Sequence, residues 1–475
     1  MTESVTCDIA VIGAGSGGLM VAAGAAMLGA TTVLVERGKM GGDCLNYGCV
    51  PSKALISAAR HAVSWRHAEA LGVRYGEPEV DFIAVMRHVH DTIAAIAPHD
   101  SVERFTALGV QVIQGEAAFT APDSLMVGQR AIRARRFVVA TGSAPHIPAI
   151  DGLAETPYLT NETIFGLNEQ PLHLLVLGGG PIGIEMAQAF RRLGSKVTLI
   201  ERQHCLPRED QELSSLVLET LRSEGVDIRE RTDVAHARDT ASGIVLTLRN
   251  PDGGEERLAG SHLLVATGRR PVTDGLNLEA AGIAVGEKGI TVDSGLRTTN
   301  RRVYAIGDVT GLSPFTHTAA YHAGLVLKNA LFRLPVRADH DTIPRVTYSD
   351  PELAVVGLDE AAARSRHGTI RILRSPFSAN DRARAEGRID GMVKVIASPR
   401  GRLLGVSIVG PHAGDLLQPW SLALGRRIGI GAMQGMIVPY PTRGDAGKRA
   451  AGDFFRPRLL HPLVRRLVRL LARLG

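Results

Sequence analysis

One pattern occurs twice in this chain. Residues 12–37 read IGAGSGGLMVAAGAAMLGATTVLVER, and residues 177–202 read LGGGPIGIEMAQAFRRLGSKVTLIER. Gly13, Gly15, Gly18 and Glu36 of the first stretch map onto Gly178, Gly180, Gly183 and Glu201 of the second at one constant offset. Each copy predicts an apolar strand, a G-x-G-x-x-G turn, a helix, a second strand and an acid about 20 residues on. The first glycine makes the tight turn, the second lets backbone approach a pyrophosphate, and the third allows close packing of helix on strand. The pyrophosphate sits at the helix N-terminus, and the acid accepts from a ribose hydroxyl. A single such turn is a weak signal. Two, each with its acid in register, predict an α/β chain with two Rossmann-like dinucleotide-binding domains.

Composition agrees. The 475 residues have room for about three domains with real cores. A hydrophobic content of 45% with 53 glycines suits an α/β protein. Four unevenly spaced cysteines make no secreted disulfide framework, so a reducing cytosol is the expected compartment. Residues 9–35 carry no charge, but Glu3 and Asp8 precede them where a signal peptide needs positive charge, and glycines interrupt them. They read as the strand and helix of a nucleotide fold. The net charge of +6 is local: residues 456–475 hold Arg456, Arg458, Arg465, Arg466, Arg469 and Arg473 with no acid, which leaves the body neutral. A neutral body argues against a nucleic-acid surface.

Two of the four cysteines stand five apart in Gly41-Gly42-Asp43-Cys44-Leu45-Asn46-Tyr47-Gly48-Cys49-Val50-Pro51-Ser52-Lys53. Proline is tolerated in the first turn of a helix, which places a helix start near Val50-Pro51 with Cys49 at its positive end. A thiol there has a lowered pKa. Positions five apart diverge on a regular helix, so a Cys44–Cys49 bond needs an irregular entry, which Gly41, Gly42 and Gly48 permit. By themselves these residues also fit a structural disulfide or two buried thiols.

The tail has its own pattern. From Leu463, residues Leu463, Leu467, Leu470, Leu471 and Leu474 share one helical face, and Arg465, Arg466, Arg469 and Arg473 fall largely on the other, behind Pro462. At about 12 residues it is too short to span a bilayer. Packing on the body or on a dimer partner, an interfacial helix on an anionic membrane, and a disordered end are all open readings.

From residue 5 to about 455, further motifs resemble, in order, those of the flavin-dependent pyridine nucleotide–disulfide oxidoreductases, which include glutathione reductase, dihydrolipoamide dehydrogenase and mercuric reductase. Val138-Val139-Ala140-Thr141-Gly142 resembles the strand closing the first nucleotide domain, and Val265-Ala266-Thr267-Gly268-Arg269-Arg270-Pro271 its partner after the second. Val303-Tyr304-Ala305-Ile306-Gly307-Asp308 resembles the late flavin motif whose aspartate binds the ribityl chain. Thr316 matches a flavin contact and Ala117 an adenine-side contact. The resemblance implies an FAD domain of residues 1–150 completed by 271–340, an NAD(P)H domain of 151–270, an α+β dimerisation domain of 341–455 and a basic tail of 456–475. The run from Tyr348 to Gly357 resembles the entry to the dimerisation domain. Independently, residues 391–398 and 402–410 read as two strands joined through Pro399-Arg400-Gly401.

The resemblance also implies a chemistry. NAD(P)H reduces FAD, and FAD reduces a Cys44–Cys49 disulfide in a homodimer that takes a small-molecule electron acceptor. Cys49 is the flavin-facing thiolate, and Cys44 the exposed thiol that attacks substrate. Lys53, one turn beyond Cys49, points toward the flavin and pairs with Glu185. A carboxylate at Glu201 accepts from a 2′-hydroxyl and repels a 2′-phosphate, favouring NADH over NADPH, with Arg202 and Arg208 as the opposing argument. Cys7 and Cys205 read as inert, and no resident metal is expected.

Disulfide-reducing members carry His-Pro-Thr with a glutamate five residues after the histidine. Here the run is Tyr440-Pro441-Thr442-Arg443-Gly444-Asp445. A phenol with a pKa near 10 is a poor proton shuttle at neutral pH. This tyrosine and the Gly-Gly-Asp-Cys spelling resemble the mercuric-reductase-like branch, although no cysteine follows Cys205. The expected function is transfer of electrons from NAD(P)H to a disulfide or soft metal ion. The alternatives are a diaphorase-like reductase of a quinone or other acceptor, and a nucleotide-binding, membrane-docked protein with vestigial redox activity.

Overall fold

A computed structural model describes residues 3–474; Met1, Thr2 and the final tail residue Gly475 lie outside them. The chain forms two compact units. One comprises residues 1–58, 80–178 and 232–340, the other 59–79, 179–231 and 341–475.

The first unit is organised by a seven-stranded sheet. Its order is Val110–Gln114, Thr32–Glu36, Glu3–Ile12, Arg130–Val139, Ser124–Val127 and Ala117–Ala121, with Val303–Ala305 also paired to Arg130–Val139. The strands from Glu3, Thr32 and Val110 run parallel, as a crossover helix between consecutive strands requires. Ser16–Met27 is that helix. Val303–Ala305 also adds parallel, so the predicted late motif joins the first nucleotide sheet. Ile9, Ala10, Val11 and Ile12 are all buried, because helices or strands cover both faces of this strand. Two apolar clusters result, one around Phe119, Phe137 and Ile132, the other around Val11, Leu34 and Tyr304. In the same unit His262–Val265 lies between His173–Leu177 and Tyr158–Leu159, all parallel.

The second unit contains a five-stranded antiparallel sheet ordered Arg345–Thr347, Glu352–Gly357, Leu403–Gly410, Met392–Ala397, Arg371–Pro376. The two strands expected around Pro399-Arg400-Gly401 form its centre, with Leu403–Gly410 buried along its whole length. Phe377, Trp420 and Phe454 fill the core beside it. Pro181–Arg192, Lys196–Glu201 and Gln211–Ser223 belong to this unit too. Paired charges tie them in: the buried Arg192 guanidinium bonds Glu224 at 2.5 Å and Asp350 at 3.1 Å. The Lys394 ammonium, 2% exposed, bonds Asp210 at 2.5 Å, Glu212 at 2.7 Å and Glu360 at 3.2 Å. Such buried charges persist only when compensated this fully. Among the described residues no helix is long and apolar enough to cross a membrane.

Candidate active site

The cysteines sit where the backbone is least regular. Gly42–Asn46 is a short helix holding Cys44, and a second helix, Cys49–Ala62, begins at Cys49 itself. The break at Tyr47-Gly48 supplies the expected irregular entry. Gly41 and Gly42 both have positive φ, +86° and +59°, and a Cβ on Gly42 would lie 2.7 Å from Gly15 Cα. The Gly41 N–H donates to Ala14 O at 3.0 Å. The cysteine segment is thus strapped, backbone on backbone, to the first glycine turn.

Three helix starts converge on the thiols. Ser16, Cys49 and Thr316 are each the first residue of a helix. Cys49 Sγ lies 3.4 Å from Thr316 Oγ1, and Cys44 hydrogen-bonds to Cys49, Thr316 and Ser16. Helix N-termini favour a thiolate. The Cys44 thiol donates to Cys49, and this bond, then burial, holds it well above its ordinary pKa, so the proton of the pair resides on Cys44. Both cysteines are free thiols, Cys49 exposed and Cys44 half-buried. Cys44 lies on the short helix pinned against the glycine turn, whereas Cys49 opens the next helix. Cys7 is pushed up to about 12 by burial, and Cys205 is raised by burial and by Glu230.

The two glycine turns match. The Glu36 carboxylate accepts from Ala14 N–H at 2.5 Å and Gly38 N–H at 2.7 Å. Glu201 accepts from Gly179 N–H and Gln203 N–H, each at 2.8 Å. A Cβ at Gly13 or Gly178 would strike Ala140 O at 2.5 Å or Ala266 O at 2.4 Å, and one at Gly18 would strike Gly13 O at 1.8 Å. Gly15 and Gly180 are different: each caps its helix in extended backbone with no side-chain cap, and a Cβ on Gly180 meets nothing within 4 Å. Uncapped N–H groups beside open backbone fit a dinucleotide pyrophosphate. Gly183 is buried on its helix.

The remaining predicted residues fall as follows. Ala117 is buried at a strand start, and Gly115 N–H donates to Glu36 O at 2.8 Å, which brings this turn beside the acid. Thr141 donates to Val272 O at 2.6 Å, and Gly142 has φ +71°. Gly268 has φ +137°, with room for a side chain around it. Asp308 accepts from the Ser143 hydroxyl at 2.6 Å, and burial raises its carboxyl pKa. Lys53 is half-buried, its ammonium 3.3 Å from Ser52 Oγ. In the second unit the buried Glu185 accepts from Tyr348 N–H at 2.9 Å. Tyr440, 75% exposed, donates to Asp381 at 2.9 Å, a bond that raises its pKa further. Asp445, expected in the glutamate's place, pairs instead with Arg449 at 3.3 Å.

Sequence reasoning missed Asp381 and a clamp around Arg269. The Arg269 guanidinium bonds Ser143 Oγ and Ser143 O at 2.7 Å and Asp43 at 3.2 Å. The Asn161 amide donates to Asp43 at 3.0 Å and Tyr47 O at 3.2 Å. Together they hold the residue before Cys44 and the turn before Cys49, and reach Asp308 through Ser143. Arg269 stood inside a recognised motif; nothing local marked Asn161.

A family model described as pyridine nucleotide-disulphide oxidoreductase matches residues 7–324, and one for that family's dimerisation domain matches residues 343–451. Mercuric reductase of Streptomyces lividans is 38% identical over 94% of this chain and 96% of its own length. Dihydrolipoyl dehydrogenase of Halobacterium salinarum is 35% identical over 94% and 96%. The Cu(II) complex of the HOCl-induced flavoprotein disulfide reductase RclA from Escherichia coli superposes with a TM-score of 0.84 at 28% identity, over 94% of this chain and 99% of that one. The chain belongs to the pyridine nucleotide-disulphide oxidoreductase family. It is an FAD-dependent oxidoreductase with NAD(P)H as electron donor, and it carries the family's dimerisation domain.

Proposed function

We propose that this enzyme, as a homodimer, passes electrons from NADH to a disulfide or a soft metal ion through the Cys44–Cys49 pair. The observation that carries the reading is the pair's position: two adjacent thiols, sharing a proton, where three helix starts meet. Bound FAD would supply the two-electron relay between nicotinamide and the cysteines. Gly13, Gly15, Gly18, Glu36, Ala117, Thr141, Gly142, Asp308 and Thr316 would hold it. Gly178, Gly180, Gly183, Glu201 and Gly268 would hold the nicotinamide nucleotide, with Glu201 selecting the 2′-hydroxyl. The functional division is 1–150 with 271–340 for FAD, 151–270 for NADH and 341–455 for dimerisation.

Cys49 would be the sulfur that faces the flavin, since it is the first residue of its helix. Attack by Cys44 on a substrate disulfide leaves the shared proton on Cys49. That attack expels the first substrate half as a thiolate, which takes a proton from water. Cys49 then attacks the Cys44 mixed disulfide, its proton leaves with the second substrate half, and the Cys44–Cys49 bond is regenerated. Lys53 would supply positive charge at the flavin. Tyr440 is a hydrogen-bond donor or metal-ion ligand at the acceptor site, because Asp381 makes its phenol a weaker acid still. Thiolates bind soft ions readily. The enzyme works in the cytoplasm, and residues 456–475 give it a peripheral membrane contact.

Single cysteine variants of the FAD-loaded enzyme test the reading. Cys44→Ser leaves a permanent Cys49 thiolate beside oxidised flavin, so a long-wavelength charge-transfer band becomes constitutive; Cys49→Ser abolishes it. Both lose dithiol-dependent turnover by on the order of a thousandfold or more, as expected when a nucleophile is removed. The opposite pattern of bands reverses the two roles. Undiminished turnover of a quinone as best acceptor in both variants would instead establish the diaphorase reading.

A further inference from the structure

The end of the chain is a helix with one face that its own protein leaves bare. Pro462–Leu471 follows His461, whose imidazole accepts from Leu463 N–H at 3.3 Å. At about 100° per residue, Leu463, Val464, Leu467, Val468, Leu470, Leu471 and Leu474 fill an arc of roughly 160°. Arg465, Arg466, Arg469 and Arg473 fill the opposite side without mixing. Leu463 is 64% exposed, Leu467 53%, Leu470 57% and Leu471 54%. Among the described residues, none of these four arginines forms an ion pair, and no acid follows Asp453. Packing on the chain's own body, one of the open readings of the tail, is therefore not what the structure shows.

We propose that this helix docks on an anionic phospholipid surface, lying in the plane of the interface. Ten helical residues span about 15 Å, which is half a bilayer's hydrocarbon core, so the helix lies on the membrane rather than across it. Its apolar arc is wider than the narrow seam of a coiled coil, and a helix this short is a poor partner for a second copy. The charge chooses the lipid: residues 456–475 hold six arginines and no acid, equal to the chain's whole positive excess, and four of the six lie opposite the apolar arc. Arginines flanking buried leucines recognise lipid phosphate and gain from a negative surface potential. A homodimer presents two such helices, and simultaneous engagement strengthens binding without new contacts. This inference rests on the peripheral contact proposed above and names its partner; it is independent of the dithiol chemistry.

Sedimentation of the full-length, FAD-loaded enzyme with vesicles tests it. Phosphatidylcholine vesicles with and without phosphatidylglycerol are compared at low and high salt. The wild type should bind the anionic vesicles at least about tenfold more tightly than the neutral ones, and high salt should weaken that binding. Full-length protein with Arg465, Arg466, Arg469 and Arg473 all changed to Gln should lose the preference. Leu467→Ser with Leu470→Ser should lose binding altogether, and NADH–ferricyanide turnover should be unchanged in every variant. Equal binding to both vesicles would overturn the anionic partner and leave the peripheral contact standing. Binding to neither would overturn both, and a leucine-dependent fall in assembly mass by light scattering would then assign the face to a second copy.

Discussion

The two glycine turns share a skeleton and differ in what lies over them. Each has a first glycine wedged against a carbonyl and an acid whose two oxygens hold the turn from behind. Over the first lie Gly41 and Gly42, which have no side chains to separate the backbones, and the chain leaves that contact carrying two reactive thiols. Over the second lies Cys205, so close that a Cβ on Gly179 would meet its sulfur at 2.6 Å. Both turns therefore have a cysteine nearby. One is a redox centre and the other is packing. Proximity to a nucleotide turn does not make a thiol reactive; accessibility and helix N-termini do.

The largest effect that can break this comparison comes from the glycines themselves. Gly13 has φ +103°, and an added methyl overlaps Ala140 O. Gly13→Ala should therefore cost on the order of 2–5 kcal/mol and release FAD. Gly180 has ordinary extended backbone and open space. Gly180→Ala should leave the melting temperature unchanged while raising KM for the nicotinamide nucleotide by about tenfold, the size of one lost contact. Thermal unfolding and steady-state kinetics read both. Equal destabilisation by the two substitutions would show that the turns are not divided into a packed and an open glycine.

This division was half legible in the sequence. The spacing of Gly13, Gly15 and Gly18 carries the fold, because the turn is local and only glycine meets its geometry. The Cys49 helix start was legible for the same reason, from Pro51 and Gly48. The Arg269 clamp was not. Asn161 and Asp43 are 118 residues apart, and their hydrogen bond exists only once the sheet has brought two loops together. Tyr440 was found by motif, but its partner Asp381 lies 59 residues away in an unrelated segment. What is written within about ten residues could be read; what tertiary packing assembles could not.

A smaller effect sharpens the comparison at the acids. Glu36 and Glu201 make equivalent backbone bonds, so the nucleotide preference must come from what else each one meets. Glu201→Ala should reduce kcat/KM for NADH by about ten- to a hundredfold, the worth of one charged hydrogen bond, and bring NADPH near parity. Glu36→Ala should weaken FAD retention and leave the NADH:NADPH ratio where it was. A wild type that prefers NADPH would refute the role given to Glu201.

The smallest effect concerns the sealed cysteine of each copy. Burial disfavours the Cys7 thiolate and pushes its pKa up to about 12, and Cys205 is raised by burial and by the carboxylates of Glu230 and Glu201. At pH 8 a thiol with a pKa of 12 is ionised in about one molecule in ten thousand. The thiolate is the species that alkylates, so native reduced enzyme should react with iodoacetamide first at Cys49, more slowly at Cys44, whose thiol is itself held above its ordinary pKa, and least at the two sealed thiols. Raising the pH from 7 to 9 increases the thiolate fraction of Cys7 about a hundredfold but still leaves it rare. Unfolding in guanidinium should release both sealed thiols at once. Cys205→Ala removes one small buried group, so it should cost about 1 kcal/mol and change turnover less than twofold. Mass-spectrometric mapping of the alkylated sites distinguishes the four. Rapid native modification of Cys205, or a large loss of activity in Cys205→Ala, would mean that the second turn also carries a working thiol.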